Sequence, residues 1–302
     1  MIEELVDIGT KKLEVNIYGT GVSTVVIETG MGCSWYDWCS VISEISKKAT
    51  VLTYHRSGYG ESTLGKEERS TKKIAEELNK LLERKGINSK MILVGHSFGG
   101  LCVQHFASLF PEKVLGVVLV DSCSVDEYKM DELRYELPSF RDKFPKTSIS
   151  DSWRKLSLQS KLQLEAQMSP KLLPEQMTFT KEIQKCILEF QINPNMYSAM
   201  ASELELMSRS GQEIKNSFNT LNVPLKVLAR DGALGVKWNV DMRIPESEAI
   251  KFENLWHSLV LEEANLSTKG EFIEVKGSKH SIYRTNPGSV IKAINDVIEE
   301  SK

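Results

Sequence analysis

The chain has 302 residues, enough for one large domain or two small ones, and its 41% apolar and 26% charged content is that of an ordinary globule. A net charge of −3 gives no electrostatic reason to expect nucleic acid or an anionic membrane as a partner. No apolar run reaches the length of a membrane span, and Met1-Ile2-Glu3-Glu4 lacks the basic and apolar regions of a signal peptide. The five cysteines (Cys33, Cys39, Cys102, Cys123, Cys186) are odd in number and show no C-x-x-C spacing. They predict reduced thiols in a cytoplasmic protein rather than a disulfide frame or a zinc site.

Residues 4–8 and 12–18 read as two strands of a hairpin around Gly9-Thr10. Val25-Val26-Ile27-Glu28 is a third, buried strand that runs into the flexible turn Thr29-Gly30-Met31-Gly32. Trp38, Val41, Ile42 and Ile45 fall on one face of a helix. The next strand, 50–55, leads into Arg56-Ser57-Gly58-Tyr59-Gly60-Glu61-Ser62. Ile74, Leu78, Leu81 and Leu82 mark a second amphipathic helix, which stops at Gly86.

Val94-Gly95-His96-Ser97-Phe98-Gly99-Gly100 fits G-x-S-x-G, the nucleophile elbow. The apolar strand 91–94 precedes it, and a helix from Leu101 to near Pro111 follows, which is the context the motif needs. Such a turn strains its serine and raises Oγ above the carboxyl edge of a sheet, with a helix N-terminus behind it. Residues 114–120 form a strongly apolar strand that ends on Asp121. From 124 to 220 no convincing strand occurs, only helical fragments broken by Pro138, Pro145, Pro170, Pro174 and Pro194. A strand resumes at 223–229, a helix spans about 249–264, and 272–275 is strand-like. The last helix starts at Asn286-Pro287 and carries Val290, Ile291, Ile294, Val297 and Ile298 on one side. Strands alternating with helices predict an α/β protein with a mostly parallel sheet.

The chain resembles the α/β-hydrolase superfamily over nearly its full length, on four landmarks. Thr29-Gly30-Met31-Gly32 stands where family members carry a His-Gly oxyanion loop. The segment His55 to Ser62 looks like D-R-x-G-x-G-x-S, and Gly95 to Gly99 is the elbow. Gly277-Ser278-Lys279-His280 looks like the late S-G-H segment that carries the catalytic histidine. Thr29, His55 and Lys279 depart from the family pattern, but none removes a catalytic group. The resemblance implies an α/β-hydrolase fold: a mostly parallel eight-stranded sheet flanked by helices. Residues 1–123 and 221–302 would form this core, with 124–220 inserted as a helical cap like that of lipase-, esterase- and peptidase-like members.

Ser97 needs a base, and there are five histidines. His96 lies inside the elbow, His105 lies down a helix leading away from the edge, and His55 precedes the nucleophile. His257 lies in a helix beside Trp256, which suits packing or surface. His280, in a loop after the last strand, is the candidate base. The acid is Asp121, at the end of the strand after the elbow unit, or Asp231, after the next strand; Asp121 is preferred. The resemblance then implies two-step acyl transfer, with the N–H groups of Met31 and Phe98 as the oxyanion hole. It implies no metal or organic cofactor. Serine at the elbow excludes the family's aspartate-nucleophile chemistry, that of dehalogenases and epoxide hydrolases.

Six of the ten methionines (Met130, Met168, Met177, Met196, Met200, Met207) fall in the insertion. They suit either a pliable apolar pocket or gap-filling between short helices. Trp35 and Tyr59 are expected near the substrate, and Asp126, Glu127, Arg134 and Arg209 could select a charged one. The reading is a serine hydrolase acting on a small-molecule ester, with amide or lactone possible. The alternatives are hydroxynitrile-lyase-type base catalysis and a non-hydrolytic ligand receptor on the same fold.

Overall fold

The computed structural model describes residues 4–145 and 148–302; Met1, Ile2 and Glu3, read above for a leader, lie outside them. The elements run β1 (Glu4–Asp7), β2 (Lys12–Tyr18), β3 (Thr24–Glu28), α1 (Cys39–Ile45), β4 (Thr50–Tyr54), α2 (Thr71–Arg84), β5 (Met91–His96), α3 (Phe98–Leu109) and β6 (Val114–Val120). The insertion follows with α4 (Tyr128–Glu136), α5 (Pro138–Lys143), α6 (Ser148–Ser157), α7 (Lys161–Met168), α8 (Lys181–Gln191) and α9 (Pro194–Ser217). The chain closes with β7 (Leu221–Ala229), α10 (Gly232–Asp241), α11 (Glu246–Glu262), β8 (Ser267–Glu274), the single turn α12 (Ile282–Thr285) and α13 (Pro287–Glu300).

Among the described residues the strands form one eight-stranded sheet in the order β1-β2-β4-β3-β5-β6-β7-β8. β2 is antiparallel to both neighbours, and every later pair is parallel. The two-residue period of the central strands sorts their side chains between two cores. Val26, Leu93, Val117 and Leu119 face α2, α3 and α11, whose Leu78, Phe106 and Leu259 cover them. Val25, Ile27, Val94 and Val118 face α1 and α13, covered by Val41, Ile45, Ile294 and Val297. With both faces occupied, the central strands read as unbroken apolar runs.

β8 begins five residues earlier than the strand expected at 272–275, and its extra residues Ser267 to Glu271 are polar or glycine. It is an edge strand, so its ladder to β7 needs no continuous apolar face. The helix α10 was not anticipated, because Gly232 and Gly235 weaken its helical signal; Asp231 caps it by accepting from the Ala233 N–H at 3.0 Å.

The insertion is fastened to the sheet domain chiefly by α9. Ser202 Oγ accepts the Arg69 N–H at 2.9 Å, and Asn193 Nδ2 donates to the Gly60 carbonyl at 2.9 Å. Met130, Met196, Met200 and Met207 are buried at these contacts, whereas Met168 and Met177 are exposed. The buried four fill gaps between helices, as methionine does elsewhere. No helix among the described residues is long and apolar enough to cross a membrane.

Candidate active site

β5 ends at His96, α3 starts at Phe98, and Ser97 makes the whole turn between them. Its φ of 52° with ψ of −125° is a conformation that a side chain-bearing residue rarely adopts. Two glycines permit it. A Cβ at Gly95 would lie 2.6 Å from the Gly100 Cα, and one at Gly99 would lie 2.3 Å from the Glu28 carbonyl oxygen at the end of β3. Phe98 is the first residue of α3, so its N–H has no acceptor within the helix. The N-terminal end of that helix dipole faces the Ser97 side of the turn. Ser97 Oγ contacts Cys123 Sγ at 3.7 Å, and no hydrogen bond joins it to His280 among the described residues. Burial pushes the Cys123 thiol well up, which keeps it protonated.

Asp121 directly follows β6 and is fully buried, also with positive φ (43°). Its Oδ2 lies 2.6 Å from His280 Nδ1. The same carboxylate accepts from the Trp256 Nε1–H at 3.0 Å, the Arg230 N–H at 3.1 Å and Arg230 Nη1 at 3.1 Å. Burial alone would raise its pKa, but the Arg230 guanidinium and the bond from His280 outweigh it and hold the carboxyl well below the usual range. An ionised carboxylate can only accept, so His280 Nδ1 is the donor and Nε2 carries the free lone pair. Arg230 is itself clamped by Glu253 at 2.7 and 2.8 Å, and its guanidinium lies over the Trp256 ring. Residue order along the chain did not reveal this clamp; the one available signal was an arginine and an aspartate directly after β7.

Asp231, the alternative acid, is elsewhere. It caps α10 and accepts the Gly277 N–H at 2.8 Å, which ties α10 to the loop that precedes His280. His96 reaches the His280 backbone: its Nε2 is 3.2 Å from that carbonyl oxygen, and the two rings lie 4.7 Å apart. His105 bonds Thr71 Oγ1 at 2.7 Å, and His257 packs edge-on to Phe272. His55 is buried between Glu14 Oε2 and Ser34 Oγ, each at 2.8 Å. It therefore joins β2 to the segment after the oxyanion-loop candidate, a structural position.

Two expectations about substrate contacts need correction. Trp35 is only 1% exposed, packed against Tyr18, Tyr36 and His55. Tyr59 is equally buried; its hydroxyl accepts the Gly32 N–H at 3.2 Å and donates to Glu203 Oε2 at 2.6 Å. Both rings were drawn into the core because aromatic area is worth more buried than exposed. Tyr59 thereby supports the loop 29–32 from behind. Arg56 does the same, donating to the Thr29 and Gly30 carbonyls at 2.6 and 3.1 Å, to Glu28 at 2.7 Å and to Glu203 at 3.0 Å. Burial opposes the Arg56 charge, but Glu203, Tyr59 and Glu28 outweigh it, and the guanidinium stays protonated. Glu203 belongs to α9, so the insertion helps hold this loop.

Of the four charged residues proposed to select a substrate, Asp126 pairs with Lys215 and Lys129, Glu127 is buried, and Arg209 pairs with Glu213. Arg134 alone lines a cavity of about 590 Å³ that lies against His280, Trp256 and Arg230. Ser97, Phe98 and Met31 are not among its walls; the cavity meets the site through the imidazole.

This sheet order, with the strained serine between β5 and α3, defines a protein of the α/β-hydrolase fold. Residues 23–159 match the family described as alpha/beta hydrolase fold. Over nearly its whole length the chain is similar to a Vigna radiata epoxide hydrolase, at 14% identity and a TM-score of 0.71, covering 99% of this chain and 98% of that one. It is also similar to a thermophilic esterase from Thermogutta terrifontis, at 17% identity and a TM-score of 0.62, covering 96% and 94%. At these identities the likeness is one of fold. In sequence, a probable transporter, efuK, of Hormonema carpetanum is 31% identical over 144 residues, 45% of this chain and 20% of that protein. The first curated relatives are matched over only 20%, 37% and 31% of their own length.

Proposed function

We propose that the protein is a serine hydrolase that cleaves a small carboxylic ester by two-step acyl transfer. The observation that carries this reading is the 2.6 Å contact between Asp121 and His280 Nδ1, beside an elbow whose serine has a φ of 52°. Asp121 holds the imidazole in the tautomer that leaves Nε2 free, and Nε2 takes the Ser97 proton as Oγ attacks the carbonyl. The Ser97–His280 bond forms in the substrate complex, where such bonds tighten. The N–H groups of Met31 and Phe98 receive the oxyanion. His280 then protonates the departing oxygen and activates a water to release the acid. Residues 124–220 serve as the cap over this edge.

An epoxide hydrolase of this fold would need a carboxylate where Ser97 stands. Labelling by a fluorophosphonate, together with turnover of p-nitrophenyl acetate and butyrate, tests the reading; both should vanish in Ser97→Ala. Cyanohydrin cleavage without ester hydrolysis would replace it with a lyase. Labelling of Ser97 with no turnover of any ester would replace it with a receptor.

A further inference from the structure

The cavity beside His280 has a composition that the triad does not explain. Phe140 and Phe252 stack at 4.4 Å with their planes 16° apart, and Trp238, 57% exposed, lines the same cavity. Around these rings five cations meet one acid: Arg134, Arg230, Lys237, Lys279 and Arg284 against Asp241. Four of the five cations are committed. Arg230 serves Asp121 and Glu253, Arg134 pairs with Asp131 at 2.7 Å, Lys237 with Asp241 at 3.1 Å, and Arg284 with Glu175 at 3.3 Å. Lys279 is exposed and has no ion pair among the described residues; only its backbone N–H is engaged, donating to Thr285 Oγ1 at 3.1 Å. It is also the residue that interrupts the Ser-Gly-His pattern, immediately before His280.

We propose that this cavity receives the leaving-group half of the substrate and selects one bearing a carboxylate on an apolar, aryl-like body. The aromatic walls cover the body, and Lys279 meets the carboxylate. The inference rests on the hydrolase reading, because it gives His280 the departing oxygen. In the acylation step Ser97 Oγ bonds to the ester carbon and the bond from that carbon to the leaving oxygen breaks. The proton lost by Ser97 passes through His280 Nε2 to that oxygen, so the product is a hydroxy acid, a phenolic carboxylate in the aryl case.

The test uses 4-acetoxybenzoate and its methyl ester, which share acetyl and ring and differ in the carboxylate. Relative to Lys279→Gln, the wild-type protein should favour the anion over the methyl ester in kcat/KM by about fivefold, the size of one solvent-exposed ion pair. The comparison is made between variants because the methyl ester's phenol is intrinsically the better leaving group, and Lys279→Glu should shift the ratio further toward the methyl ester. A ratio of the two substrates that Lys279→Gln does not move overturns the proposal while leaving the hydrolase intact. Binding of 4-hydroxybenzoate to Ser97→Ala, measured by calorimetry, separates the two readings. Binding weakened by Lys279→Gln supports the cavity assignment even if no ester is turned over. Binding indifferent to Lys279→Gln overturns it.

Discussion

Two aspartates follow neighbouring strands, and their surroundings differ. Asp121 is buried with four donors on two oxygens, one of them His280. Asp231 accepts two backbone N–H groups near the surface. Asp121→Asn should therefore lower kcat on the order of 10⁴-fold, by stabilising the wrong imidazole tautomer. Asp231→Asn should cost less than tenfold, because asparagine caps a helix as well as aspartate does. Steady-state kinetics on p-nitrophenyl acetate checks both, and the opposite ranking would transfer the role. The Asp121 pKa is depressed on folding, so its stabilising effect is complete above the normal carboxylate range and is lost as pH falls below it. The elbow was legible in the chain because its glycines have steric reasons that short-range order exposes. Between the aspartates the chain supported only a preference for Asp121, because what distinguishes them is Arg230 and Trp256 arriving from beyond β7 and from α11, more than a hundred residues along the chain.

At the scale of elements, the loop 29–32 after β3 is held by a segment after β4 and by α9. Tyr59 joins the Gly32 N–H to Glu203, and Arg56 gathers the carbonyls. Tyr59→Phe leaves Gly32 and Glu203 each short of a partner in a buried setting, at a cost of about 1–3 kcal/mol. If Met31 supplies an oxyanion donor, part of that loss appears in the transition state. The expected result is a kcat lowered about 10- to 100-fold, a KM within about twofold, and a melting temperature lowered by a few degrees. A fall in melting temperature with kcat unchanged would show that Tyr59 supports the fold alone. The central strands and the flanking helices were legible because apolar periodicity reports burial directly. β8 and α10 were not: an edge strand needs less apolar sequence, and two glycines hide a helix that Asp231 caps. Trp35 and Tyr59 misled for a related reason, since proximity to a motif along the chain says nothing about which face a ring turns to.

Across the whole molecule, the fold buries acids whose charges are not all matched. Glu28 and Glu203 share Arg56, but Glu127 is 7% exposed and its Oε2 has no hydrogen-bond partner among the described residues. Burial pushes its pKa up to about 8, with Arg134 opposing too weakly to prevent it. Glu263 lies in the same interior, and burial pushes it the same way. The sign follows from proton counting. Between the unfolded value near 4.5 and the folded value near 8, the folded chain holds a proton on Glu127 that the unfolded chain has released. Stability therefore falls as pH rises through that window, by up to about 1.4 kcal/mol per pH unit for this one group. Glutamine has nearly the same shape and carries no charge at any pH. Glu127→Gln should match the wild type in melting temperature near pH 4.5 and exceed it by a growing margin toward pH 8, as calorimetry at several pH values would reveal. Parallel curves for the two proteins would mean that the buried carboxyl ionises freely, with Arg134 or entering water neutralising it, and that another group sets the alkaline limit of the fold.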